Sequence, residues 1–433
     1  MRKMQESGIS WLGEFPFNWK LRKIKYCMQE RVEKNNPVKT TEILSLTAKQ
    51  GVIPYDQKEG GGNKPKEDVS AYRLAYPGDI VMNSMNILSG SVGLSQFFGC
   101  VSPVYYMLRP WNVKEDVRYY NYIFQTTMFQ RSLFGLGNGI LIKESGNGKL
   151  NTIRMRIPMD KFGGLFIPVA PIDEQHRIAD FLDAKCAEID ELTDDIYRQI
   201  DILEHYKRSV ITETVTKGLN PDVEMKDSGI EWVGEIPMHW PVHPVYSYYG
   251  ERKNKNRLGK EDNLLSLSYG RVIRKDINTN DGLLPESFNT YNIVEEGDII
   301  IRPTDLQNDK RSLRTGLVKE HGIITSAYID LCPLKQVDSR YFHFLLHAYD
   351  VMKVFYNMGN GVRQGLNYSE FSRLMVFEPP YDEQVAMADY LENKVTEVDA
   401  IIEQKKEQMS VLDAYKRSLI FEYVTGKKEV PLS

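Results

Sequence analysis

The sequence predicts a mixed α/β (α+β) fold built by internal duplication, with two globular domains joined by two long helices packed as an antiparallel coiled coil. Three matches within the chain predict it. MQESGISWLGEFPFNW, from Met4, matches MKDSGIEWVGEIPMHW, from Met225, at nine of sixteen positions. PIDEQHRIADFLDAKCAEIDEL, from Pro171, matches PYDEQVAMADYLENKVTEVDAI, from Pro380, at ten of twenty-two. YKRSVITETVT, from Tyr206, matches YKRSLIFEYVT, from Tyr415, at eight of eleven. Matches in one consistent order, at offsets of 221 and 209, mark a unit that occurs twice. The expected parts are a first domain over 1–172, a helix over 173–217, a second domain over 218–381, and a helix over 382–426 with a tail to 433.

Between these anchors the halves diverge but keep landmarks. Leu44-Ser45-Leu46 answers Leu265-Ser266-Leu267, and Gly78-Asp79-Ile80 answers Gly297-Asp298-Ile299. VSPVYYMLRP, from Val101, answers ITSAYIDLCP, from Ile324, and Gly137-Asn138-Gly139 answers Gly359-Asn360-Gly361. Short apolar runs such as DIVMNSM, YYMLRP, DIIIRP and YIDLCP read as strands. Arg118 to Phe134 and Arg340 to Asn357 read as short helices.

The closing segments carry apolar residues at steps of three and four, as a helix seam requires. The first stripe is Leu182, Cys186, Ile189, Leu192, Ile196, Ile200, Leu203, Tyr206 and Val210. The second is Leu391, Val395, Val398, Ile401, Met409, Leu412, Tyr415 and Leu419, interrupted by Lys405. Each covers about 33 residues, roughly 50 Å of helix. Asp173 and Asp382 stand where an N-cap belongs. Gly218 and Gly426 stand where a C-cap belongs. The cheapest cover for each stripe is the other. A whole domain between the helices permits either direction; the antiparallel one, with a domain at each end, is the expectation.

The 433 residues, 42% hydrophobic and 26% charged, describe an ordinary globular chain of more than one domain. No run is long and apolar enough for a membrane span, and MRKMQESGIS lacks a signal-peptide core. Cys27, Cys100, Cys186 and Cys332 are widely spaced, which suits free thiols in a reducing cytoplasm. The net charge of −4 is uneven. Lys20 to Ala170 holds 21 Lys and Arg against 12 Asp and Glu, whereas Pro171 to Asn220 holds 6 against 12. A basic block suits a polyanionic partner.

Catalytic patterns fail one by one. Glu378-Pro379-Pro380-Tyr381 resembles the Asp/Asn-Pro-Pro-Tyr motif of adenine methyltransferases, but its first residue is wrong and no Gly-rich cofactor loop precedes it. A Pro-rich lead into a helix explains it. Pro221 to Lys226 spells the letters of a PD…ExK nuclease within a few adjacent residues, which cannot converge on a metal; a solvated linker explains it. His343 and His347, four apart in HFLLH, lack the glutamate of a metalloprotease and sit among apolar residues, so packing is the expectation.

Polar clusters that suit base edges and phosphates follow the strand-like runs. In the first half these are Lys49 and Gln50, then Asn83, Ser84 and Asn86, then Asn138 and Lys143. In the second half they are Tyr269, Arg271 and Arg274, then Arg302, Thr304, Asp305 and Gln307, then Asn360, Arg363 and Gln364. Equivalent places are polar in both halves but chemically different, as two recognition domains with different targets require.

With these features the chain resembles the specificity subunits of type I restriction–modification systems. The resemblance rests on the repeated SGI-x-W-x-G-E-x-P start, the Pro-x-Asp-Glu-Gln helix starts, the YKRS helix ends, and the MNSMN…GCVSPVYY and IRPTDLQND…GIITSAYI segments. It covers nearly the whole chain. It implies two target recognition domains, each binding one half of a split double-stranded DNA target, and paired helices that set the spacing between the halves. It also implies two docked modification subunits, which hold S-adenosylmethionine, and restriction subunits, which use ATP and Mg. No cofactor, metal or catalytic site is implied in this chain itself, and no membrane. The competing readings are a duplicated protein-binding scaffold without DNA and, further off, a stand-alone methyltransferase.

Overall fold

In a computed structural model, residues 2–47, 50–58, 65–85, 87, 90–137, 142–144, 150–152, 156–277, 287–304, 306, 313–354, 358 and 365–431 are described. The chain divides into two compact units. One comprises residues 1–196 and 407–433, the other residues 197–406. Four helices organise them: α1 (Val117–Gln125), α2 (Ile172–Lys217), α3 (Ser339–Val351) and α4 (Tyr381–Val424). The long helices α2 and α4 each contribute one half to each unit.

The first unit is built on a four-stranded antiparallel sheet of β1 (Met28–Arg31), β2 (Ile80–Asn83), β3 (Val92–Leu94) and β4 (Tyr105–Pro110), in the order β1-β4-β2-β3. Ile80 and Met82 of β2 and Tyr106 and Leu108 of β4 face a core completed by α1 and the start of α2. Val81 and Met107 point the other way, into a smaller cluster with Leu44 and Val52. That alternation is the period-two pattern of a sheet covered on both faces. The hairpin Leu44–Thr47/Gly51–Pro54 supplies the second cover.

The second unit repeats this plan. Its sheet runs β5 (Tyr249–Glu251), β6 (Ile299–Ile301), β7 (Thr315–Leu317) and β8 (Ile329–Pro333), in the order β5-β8-β6-β7. Ile299 and Ile301 join the large core, and Ile300 joins a small cluster with Leu265 and Val294.

Within each unit the helix halves pack antiparallel. In the first, the ring of Phe181 of α2 packs against that of Tyr423 of α4 with centroids 4.5 Å apart, and Asp190 pairs with Lys416 at 2.6 Å. Nine residues forward on α2 thus match seven residues back on α4. In the second, Lys207 pairs with Asp399 at 2.8 Å, while Ile211 and Val215 share a core with Ala388 and Leu391. The seam is driest where the sheets join it: Leu182, Leu391 and Leu419 are buried, whereas Leu192, Tyr206 and Tyr415 of the expected stripes are exposed. Ile402 is buried rather than Ile401.

Two expectations are corrected. Asp173 and Asp382 are not N-caps: α2 begins at Ile172 and α4 at Tyr381, so both aspartates lie inside the first turn. There they face the positive end of the helix dipole without ending the helix. The PD…ExK-like letters do not form only a linker, because Met225–Asp227 is a strand paired with Glu235–Pro237.

The C-terminal glycines fit their assigned places. Gly218 and Gly426 adopt φ of +78° and +70°, a left-handed conformation costly to other residues. A Cβ on Gly426 would sit 2.3 Å from Pro16 Cγ and 3.0 Å from the Trp19 ring; one on Gly218 would sit 3.3 Å from the Trp240 ring. Gly426→Ala should therefore lower stability by about 2–5 kcal/mol, combining strain and overpacking, and Gly218→Ala by about 1–2 kcal/mol. Urea unfolding of the two variants checks the order; an equal loss would contradict the crowding at Pro16.

Candidate nucleic-acid interface

Each unit is held by a duplicated polar frame. Trp19 Nε1 donates to Glu174 at 2.8 Å, and Trp240 Nε1 donates to Glu383 at 2.9 Å. The next residue in each helix, Gln175 or Gln384, accepts from the N–H of Asp116 or Asp338 and donates to the carbonyl of Ala170 or Pro379. Asp116 and Asp338 in turn cap α1 and α3. Arg118 joins Asp116 to Asp180 and Asp183, and Arg340 joins Asp338 to Asp389 and Glu392. These ion pairs push both guanidinium pKa values further up. Glu378 to Tyr381 is therefore the lead into α4, with Glu378 paired to Lys335.

A second ion pair was not legible as such. Arg31 grips Asp79 through Nε at 2.8 Å and Nη2 at 3.2 Å, and Arg252 grips Asp298 at 2.7 and 3.0 Å. Both aspartates are buried and accept a further backbone N–H, from Tyr76 or Glu295. The recurring Gly-Asp-Ile was the signal for it. The second unit adds a buried carboxylate, Asp330, where β4 of the first unit has Met107. Neither Asp330 oxygen finds a hydrogen bond among the described residues, and Arg252 Nε lies 3.9 Å away. Burial, then the neighbouring Asp298 charge, pushes its pKa up to about 8.

The recognition candidates are placed on hairpins and strand ends. In the second unit, Leu265–Ser268 pairs with Arg271–Arg274 across a turn at Tyr269 and Gly270, both with positive φ. Such a turn matches the twist of the strands it joins. Tyr269, Arg271 and Arg274 are exposed on this ribbon. Arg271 reaches Asp399 of α4 at 2.5 Å, and Arg274 pairs with Glu320. Arg302 and Thr304 follow β6 and are exposed; their carbonyls accept from Arg314. In the first unit, Gln50 is exposed at the tip of the equivalent hairpin, its N–H donating to Thr47 Oγ1. Asn83 is half-buried at the end of β2, and its Oδ1 accepts from the Met85 N–H.

Ser84 is corrected. It is buried, and its hydroxyl donates to the Val104 carbonyl at 2.6 Å, so its donor is used by the fold. Lys49, Asn86, Asn138, Asp305, Gln307, Asn360, Arg363 and Gln364 lie outside the described residues, as does the side chain of Lys143.

The histidine pair behaves as packing. His343 and His347 lie with ring centroids 6.5 Å apart, and burial lowers their pKa values to about 3 and about 4. No group of three metal-ligating side chains occurs among the described residues. No described helix is long and apolar enough to cross a membrane.

No family model matches the chain. A curated protein of Methanocaldococcus jannaschii, described as the type I restriction enzyme MjaX specificity subunit, is 22% identical over 440 residues, covering 97% of this chain and 96% of that protein. The type I restriction enzyme MjaVIII specificity subunit of the same organism is 25% identical over 291 residues, covering 62% and 63%. A chain solved in work on complex assembly and conformational transition of a type I restriction–modification system superimposes with a TM-score of 0.68 at 11% identity, covering 96% of this chain and 99% of that one. That likeness establishes the fold.

The Asp330 site makes the second unit sensitive to pH. A carboxyl whose folded pKa is raised is stable as the acid and loses stability as pH rises from about 4 towards about 8. The whole loss is on the order of 5 kcal/mol, at roughly 1.4 kcal/mol for each tenfold change in proton affinity. Asp298, Arg252, Glu251 and Glu295 supply the surrounding charges. Asp330→Asn should raise stability at pH 8.5 and flatten its pH dependence. Thermal unfolding between pH 5 and 9 checks this; parallel curves for variant and parent would refute it.

Proposed function

We infer that the chain is a specificity subunit of a type I restriction–modification system: it recognises DNA sequence and carries no catalytic centre of its own. One observation carries the reading. Two copies of a single frame, down to the Trp–Glu, Gln–Asp and Arg–Asp contacts, present different polar sets at equivalent hairpins and strand ends. A two-stranded ribbon with exposed arginines fits the major groove, where Arg and Gln distinguish base pairs. Arg271, Arg274, Arg302, Thr304 and Tyr269 serve one half of a bipartite double-stranded target, and Gln50 and Asn83 serve the other. Lys49, Asn86, Asn138, Lys143, Asp305, Gln307, Asn360, Arg363 and Gln364 remain proposed contacts on sequence grounds.

The paired helices act as the spacer. Two modification subunits bring S-adenosylmethionine to adenines in the target; restriction subunits bring ATP and Mg. The complex works in the cytoplasm. Pro241 to Pro380 holds 18 Lys and Arg against 17 Asp and Glu, a near balance that is consistent with partner subunits supplying part of the phosphate contact.

Two variants test the reading by methylome sequencing in a host carrying the modification subunit. Arg302→Ala should relax one half-sequence by about 1–3 kcal/mol of discrimination and leave the other half and the spacing unchanged. A four-residue insertion in α2 should change the spacing and leave both half-sequences unchanged. Altered half-sequences at the old spacing after the insertion would sink the spacer role; loss of both halves in Arg302→Ala would sink the assignment of one unit to each half.

A further inference from the structure

At the β1 edge of the first sheet lies a cavity of about 340 Å³, lined by Glu30, Arg73, Tyr106, Arg156, Pro158 and Met159. Both arginines are tied to the strand end that presents Asn83. Arg73 Nη1 donates to the carbonyl of Tyr105 at 3.4 Å, and Tyr105 is the cross-strand partner of Asn83. Ile157, next to Arg156, donates its N–H to the carbonyl of Ser84 at 3.0 Å, and its own carbonyl accepts from Tyr106 OH at 2.9 Å. Short backbone links thus hold the cavity beside a candidate base reader.

The hydrogen-bonding capacity left in the cavity is mostly that of donors. Arg73 spends Nη1 on Glu30 Oε1 at 2.6 Å and on Tyr105, while its Nε and Nη2 make no hydrogen bond among the described residues. Arg156 is exposed and makes no ion pair among the described residues. A guanidinium is a planar fork of N–H donors that suits the oxygens of an anion. Two arginines against one glutamate leave a single net positive charge. A phosphodiester, singly charged, balances it. A free phosphate group carries roughly one and a half to two charges at neutral pH and exceeds it.

The second unit keeps the acid and drops both arginines. Glu251 stands where Glu30 does, each opposite a leucine of the neighbouring strand. The place of Arg73, bridged to Lys34, is taken by Asn292, bridged to Lys255. The place of Arg156 is taken by Gly365, since the next residue, Leu366, donates to Pro303 at 2.9 Å as Ile157 does to Ser84. The place of Asn83, just before Ser84, is taken by Arg302, just before Pro303. Charge therefore sits on the reader in one unit and beside the reader in the other. Residues placed for folding alone follow the common frame, as the Trp, Gln and capping Asp do. These two arginines vary with the recognition set instead.

We propose that Arg73 and Arg156 hold one backbone phosphate of the DNA half-site read by the first unit, with Glu30 setting the Arg73 fork. The site rests on the reading above. It fixes the register of the Asn83 strand end on the duplex and reads no base, because every step of DNA offers the same phosphate.

The test uses the full chain in complex with the modification subunit, on a duplex carrying the methylated target and on one altered in the half read by the first unit. Fluorescence anisotropy follows binding from about 0.1 to 0.5 M salt. Each neutralised phosphate adds about 0.9 to the slope of log K against log salt. Arg156→Gln should lower that slope by about one and weaken binding about five- to tenfold at 0.1 M salt, on both duplexes alike. Glu30→Gln should tighten binding to both. Glu30→Gln/Arg156→Gln, with the net charge of the parent, should recover most of the loss. Neither a gain nor a rescue can come from a damaged fold. Unchanged slopes in both single variants, a loss in Arg156→Gln confined to the target duplex, or a double variant no better than Arg156→Gln would overturn the phosphate site alone. Inorganic phosphate bound by the DNA-free complex at micromolar concentration, and lost in Arg156→Gln, would also overturn it by assigning the cavity to a free anion. A parent complex that binds the two duplexes equally would overturn the specificity-subunit reading, and the site with it.

Discussion

Each unit closes on one indole ring. Trp19 donates its N–H to Glu174 in the first turn of α2 while its ring packs against Gly426, just beyond the end of α4. Trp240 does the same with Glu383 of α4 and Gly218 beyond α2. A single side chain thus fixes where one long helix starts and where the other stops. Helix ends leave backbone groups without partners, and these must be met by something. Tyr119 OH donates to Val424 and Tyr341 OH donates to Val215, so the last carbonyls of both helices are met from inside the sheet domains. The domain, the first turn of one helix and the last turn of the other therefore form as one object.

That constraint separates what can vary from what cannot. The Trp, Glu, Gln and Arg contacts set the frame, and all of them lie between the sheet and the helices. The hairpins and strand ends lie on the other side of the sheet from this closure, covered by smaller clusters around Leu44 and Leu265. Side chains there can change without disturbing the helix junction. The paired Arg31–Asp79 and Arg252–Asp298 mark the border. Breaking a buried pair of this kind by removing one partner costs roughly 3–5 kcal/mol, because the other charge is left in the core.

The duplication, the strands, the two helices and the C-terminal glycines were legible because each rests on local pattern: periodicity, repeat spacing, or a conformation only glycine adopts easily. What was not legible depends on contacts far apart in sequence. Asp173 and Asp382 have the right identity for a cap but sit two residues too far in, because the helices start at Ile172 and Tyr381. Ser84 has the composition of a base reader, yet Val104 takes its hydroxyl across twenty residues of chain. Ile402 rather than Ile401 is buried, since the sheet domain as well as the partner helix decides which face is covered. Asp330 reads as an ordinary strand residue; its burial, and then its placement beside Asp298, give it a raised pKa.

Arg271 shows how exposed ribbon and frame meet in one residue. It stands on the exposed ribbon, yet its guanidinium reaches Asp399, which also holds Lys207 of α2. A ribbon arginine that swings to a phosphate gives up an ion pair in which the arginine itself is 71% exposed, a contact worth little in water. Lys207 stays on Asp399, so the helix pair keeps its own tie. The exposed ribbon can therefore exchange an internal partner for an external one at small cost, while the helix pair is left as it was. A frame that holds its charges inside and spends only surface pairs on its ligand is suited to carrying different sequences on one scaffold.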